Sequence, residues 1–146
     1  MSGPSLLADP DRPFTAAEKA SLAREITATY VRARWWLRRG TVEQAAVTAR
    51  QGRDPAGRPE RPSEEYHVGV RLGRLVERRL GHLPGDTRCL TRSLVLLRML
   101  SRRGIAGRLV LGALAQPTFQ AHAWVELDGH PMLNPGEYQA GRLTEF

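Results

Sequence analysis

Three residue types in one order suggest nucleophilic chemistry: a cysteine, a histidine and an asparagine, at Cys89, His122 and Asn134. Cys89 is the only cysteine of the 146 residues and falls where a helix is expected to start, so unpaired N–H groups and the positive end of the helix dipole favour its thiolate. His122 opens the strand-like run His122-Ala-Trp-Val-Glu-Leu127, and an imidazole there can take and return the proton of a thiol. Asn134 follows on the expected return strand and can orient the ring by accepting from its N–H. It lacks the charge with which a carboxylate would steady the imidazolium. Glu126, on the same strand face as His122, is the alternative orienter, whereas Asp128 lies at a turn and too far along. A lone cysteine is often an inert small core residue and a lone histidine a satisfied structural one; it is the pair that argues for catalysis.

Positioning these groups requires a helix and a hairpin. Leu83-Pro-Gly-Asp-Thr-Arg-Cys89 reads as a turn in which Asp86 or Thr87 caps a helix. That helix carries Leu90, Leu94, Val95, Leu97, Met99 and Leu100, apolar on nearly every side and therefore central, and Gly104 suits its end. The chain then changes period. Leu109 to Leu111 read as a buried strand and Ala121 to Leu127 as a second, with Ala123, Val125 and Leu127 alternating against His122, Trp124 and Glu126. Asp128-Gly129 signals a hairpin, and His130 to Asn134 are the return strand. A two-residue turn would pair Asn134 with Ala123, facing away from His122. A three-residue turn that includes His130 would instead put Leu133 on the core face and Asn134 opposite Trp124, diagonal to His122, and this register is the one expected.

Upstream, residues 1–14 contain three prolines and no periodicity, and read as a loose arm. Thr15-Ala-Ala-Glu18 is a capping box ahead of a long helix through Arg39, with Leu22, Ile26, Tyr30, Val31 and Leu37 as its buried stripe and Gly40 as its stop. Trp35 and Trp36 are assigned to the core in preference to a docking surface. Thr41-Val-Glu-Gln44 opens a short helix to Arg50, so 15–50 form a helical part. Residues 51–63 hold three prolines and two glycines and are expected to be a flexible loop. From Ser63 or Glu64 to Gly81 the pattern is helical, with Val68, Leu72, Leu75, Val76 and Leu80 on one face. Helices followed by an antiparallel sheet make an α+β fold, expected as one domain over 1–146 with its catalytic core at 64–146.

The formal charge of +7 comes from 22 basic residues, all arginine except Lys19. Nucleic acid is set aside as a partner, because the arginines are spread over solvent faces of helices and no nucleic-acid motif is present; attraction of an acidic peptide remains open. No apolar run has signal-peptide or membrane-span length, and one thiol cannot close a disulfide, so a cytoplasmic protein away from the membrane is expected. His67, His82 and His130 show no metal-ligand spacing, and Gly104, Gly107 and Gly112 form no phosphate loop. No cofactor or metal is implied.

The runs Cys89 to Ile105, Leu109 to Gly112 and Ala121-His-Ala-Trp-Val-Glu-Leu-Asp-Gly129 together resemble the transglutaminase-like core of lasso-peptide B proteins, the leader peptidases of lasso-peptide biosynthesis. The resemblance covers about residues 63 to 146. It implies a papain or transglutaminase-like fold and a cysteine peptidase that removes the leader from a ribosomal precursor before a cyclase closes the ring. The first 50 residues read as helices instead of the strand-rich leader-recognition domain, so the chain resembles the free-standing peptidase half of a split system. The implied partners are the precursor leader peptide, a separate recognition protein and the lasso cyclase. The family usually has aspartate where this chain has Asn134. Transfer of the acyl group to an amine, or peptide binding without catalysis, are the alternatives.

Overall fold

The computed structural model describes residues 9, 11–51, 58–81, 88–114, 120–132 and 141–146. Four helices precede a sheet: α1 (Ala16–Arg39), α2 (Val42–Arg50), α3 (Pro62–Leu80) and α4 (Arg88–Arg102), then β1 (Arg108–Leu114), β2 (Gln120–Leu127), β3 (His130–Pro131) and β4 (Arg142–Glu145). The antiparallel sheet runs in the order β3-β2-β1-β4, and the expected α+β arrangement is found, with the cysteine-bearing helix packed on the sheet.

Both capping boxes form as the spacing predicts. Thr15 Oγ1 accepts from Glu18 N–H while the Glu18 carboxylate accepts from Thr15 N–H, and Thr41 and Gln44 repeat the exchange one helix later. Along α1 the buried positions are Leu22, Ile26, Thr29 and Ala33, with Trp36 and Leu37 packed against the core. Val31 was expected in this stripe, but it is 62% exposed because it lies two residues from both Thr29 and Ala33, about 200° round the helix and so on its opposite face. Trp35 is likewise 53% exposed and rests under the Arg39 guanidinium, so of the two tryptophans only Trp36 joins the core. The segment before α1 is held by Arg71 of α3, which donates to the carbonyls of Asp9 and Arg12 and lies 4.0 Å above the Phe14 ring.

Helix α4 is the centre of the molecule. It touches α1, α2, α3, β1 and β2, and Leu94 to Leu97, Met99 and Leu100 are fully buried. Its rotation is pinned by polar contacts as well. Arg98 donates to the carbonyls of Ala49 and Gln51, and Ser101 Oγ donates to that of Arg50, so α4 caps the open end of α2. Arg103 forks onto the Glu25 carboxylate of α1 at 2.9 and 2.8 Å. The far end closes as a Schellman motif: Gly104 has φ 77°, its N–H donates to Ser101, and the Ile105 N–H donates to Leu100.

In the sheet, Leu109 pairs with Val125 and Gly112 with His122. The hairpin differs from the expected register. Leu127 pairs with His130 and Glu126 with Pro131 around a two-residue turn in which Asp128 (φ 48°) and Gly129 (φ 79°) both take left-handed backbone, as a type I′ turn requires. Met132 therefore shares the core face with Val125 and Leu127. It is 7% exposed and packs so closely on α3 that a Cβ at Gly69 would stand 2.4 Å from its sulfur. The turn chemistry dictates this: Asp-Gly supplies both left-handed residues, so His130 stays in the ladder. Leu133 and Asn134 lie outside the described residues, as do His82 and the Leu83–Thr87 segment expected to cap α4. Strand β4, absent from the sequence expectation, adds a fourth strand beside β1.

Candidate functional site

Cys89 occupies the first turn of α4, partly buried, and Ser93 Oγ donates back to its carbonyl at 2.7 Å. Burial raises the pKa of its thiol, but the hydrogen bond with the His122 side chain, the Ala123 backbone N–H, the His122 charge and the Leu90 N–H together outweigh it. The net result is a thiol below its ordinary value. Cys89 and His122, 33 residues apart in the chain, are thus brought into direct contact.

The sheet explains how a side chain from α4 meets both the imidazole and a strand amide. The Val125 carbonyl accepts from Met132 N–H at 2.8 Å, so the odd residues of β2 direct their backbone polar groups toward β3. The Ala123 N–H points to that same edge and donates to the Cys89 sulfur. Backbone N–H groups lie in the plane of a sheet, so the sulfur sits level with β2, at its edge. There the His122 ring can reach it from the opposite face to the one α4 covers.

His122 is backed by a relay of contacts along that face. Its ring stacks on Trp124 at 6.1 Å between centroids and 26° between planes. Trp124, fully buried, donates its indole N–H to Glu126 at 2.8 Å, and Arg142 from β4 grips both Glu126 oxygens at 3.2 and 3.0 Å. Glu126 is 3% exposed and bound to these two partners, so it is tied to Trp124 and not to His122 directly. The strand alternation placed His122, Trp124 and Glu126 on one face; the part of Arg142 went unread, because it arrives on β4 from the far side of β1.

Of the residues proposed for catalysis, Cys89 and His122 are together and Asn134 lies outside the described residues. His67 and His130 stand edge-on to Tyr66, each at 5.9 Å, in a hollow between the start of α3 and the β2–β3 turn. Among the described residues no group of three histidine, cysteine, aspartate or glutamate side chains could hold a metal, and no helix is long and apolar enough to cross a membrane.

Neither the curated proteins nor the solved structures gave a match to this chain. The family model described as the Transglutaminase-like superfamily does match, over residues 27–145. That span takes in most of α1, the whole of α4 with Cys89, and the strand that carries His122, so both the thiol and the imidazole fall within a domain type that fits cysteine-dependent catalysis: the chain belongs to the transglutaminase-like superfamily.

Proposed function

We propose that this protein is a cysteine peptidase that removes the leader from a ribosomally made lasso-peptide precursor. The observation that carries the reading is the depressed Cys89 thiol bonded to His122 at the edge of β2. The resemblance of the Cys89–Ile105 and Ala121–Gly129 blocks to lasso B proteins supplies the substrate class. In the proposed reaction the Cys89 thiolate attacks the carbonyl at the leader-core junction, and the C–N bond breaks as the imidazolium of His122 protonates the departing amine. Water, deprotonated by His122, then hydrolyses the thioester and restores the thiolate. The backbone N–H of Cys89, at the start of α4, is the proposed donor to the oxyanion.

Asn134 remains the proposed orienter of the imidazole. The proposed partners are the precursor leader, a separate leader-recognition protein and the cyclase, and the proposed location is the cytoplasm.

Incubation of the precursor with the protein and the recognition protein, read by mass spectrometry, tests this. Cleavage at the leader-core junction is expected from the wild type and should vanish in Cys89→Ala, with circular dichroism unchanged. Cleavage retained by Cys89→Ala would end the proposal, and an added amine in the product in place of water would turn it to acyl transfer.

A further inference from the structure

Among the described residues, one face of α1 packs on no other element. At about 100° per residue, the buried positions Leu22, Ile26, Thr29 and Ala33 point one way, and Val31 and Trp35 point almost diametrically the other. Both are large apolar side chains and both are exposed, at 62% and 53%. Arg24 and Arg38 continue the same line at either end, two turns from Val31, while Arg34 and Arg39 flank it. Among the described residues none of these four guanidiniums is in an ion pair. The nearby carboxylate, Glu25, is turned away to Arg102 at the end of α4 and to Arg103 just beyond it.

We infer that this face of α1 docks an acidic protein segment that sets one or two apolar side chains on Val31 and Trp35 and surrounds them with carboxylates. An apolar centre with a charged rim is how protein interfaces are built, and tryptophan and arginine are the residues that most often dominate them. The charge decides the partner: four arginines with no carboxylate partner favour an acidic segment over a neutral one, oppose a basic one and repel a second copy of a chain that carries +7. A phosphate backbone would call for arginine at the centre of the patch, where valine and tryptophan stand. A bilayer would call for a broader apolar face than two side chains. The inference does not depend on the peptidase reading, because the face lies opposite the one that packs on the core.

The probe is a short synthetic helix with a leucine stripe bordered by glutamates, beside its counterpart with lysine at every glutamate. Binding to the whole protein is followed by fluorescence anisotropy of the labelled peptide. The acidic peptide is expected to bind, to weaken as salt rises, and to lose roughly tenfold or more in affinity with Trp35→Ala. Arg38→Glu/Arg39→Glu should lose the acidic peptide and gain the lysine one. These positions are exposed, so the melting temperature should hold, and the charge reversal tests the rim without removing the tryptophan. Absence of binding, or equal binding by wild type and Trp35→Ala, would overturn the inference. So would binding of phosphatidylserine vesicles that Trp35→Ala abolishes, which would assign the face to a membrane.

Discussion

A thiol that burial pushes up and a histidine pulls down reports on which influence prevails. At Cys89 the pull prevails, so the thiolate persists to lower pH than in an unstructured peptide. Iodoacetamide should therefore label this chain on a pH limb below that of a free cysteine, and the rate should fall as pH drops through the depressed value. In His122→Ala the largest lowering contribution and the charge of the imidazole are gone, leaving only the Ala123 and Leu90 N–H groups against burial, so the limb should move upward. A limb that stays in place would mean that His122 does not set the thiol. The relay behind the ring makes a second expectation. Glu126→Ala leaves the buried indole N–H of Trp124 without its acceptor and should cost about 1–3 kcal/mol in denaturant unfolding, whereas Glu126→Gln keeps an acceptor and should recover most of it. Cys89 and His122 were legible in the sequence because their types are chemically distinctive and their elements have clear punctuation. The role of Glu126 was not, since alternation shows which face a carboxylate shares but not that Trp124 stands between it and His122.

At the scale of elements, periodicity sufficed for the helices and for the two capping boxes of α1 and α2, but it put Val31 in a buried stripe that lies on the opposite side of α1. The hairpin was harder. Core placement and the proposed site both favoured a three-residue turn, and the backbone preference of Asp128-Gly129 overrode them. Strand β4 was illegible because all four of its residues are exposed and it earns its place by backbone pairing with β1 and by Arg142, not by an apolar pattern. That pairing depends on close approach. A Cβ at Gly141 would lie 1.9 Å from the backbone carbonyl oxygen of Ala113, an atom that cannot swing aside. Gly141→Ala should destabilise by about 1–3 kcal/mol, lowering the midpoint in thermal unfolding by a few degrees, and should loosen Arg142 from Glu126. An unchanged midpoint would show that β4 contributes little.

The whole molecule is organised around α4, with three helices and the sheet gathered on it. Removing bulk at its centre should thus be felt everywhere at once. Leu97→Ala is expected to cost about 2–5 kcal/mol, with helix and sheet signals lost in a single transition in urea. Two separated transitions would show that the helices and the sheet unfold independently. The same helix has a geometric side. Gly104 fixes where α4 stops, while Arg98, Ser101 and Arg103 fix how it is turned. The sulfur at its other end is consequently set by counting residues: one more or one fewer between Cys89 and Arg98 would swing it by about 100° and shift it by about 1.5 Å. The segment works as a spindle of fixed length, clamped at the tail and tooled at the tip, so its number of steps matters as much as the bulk along its sides.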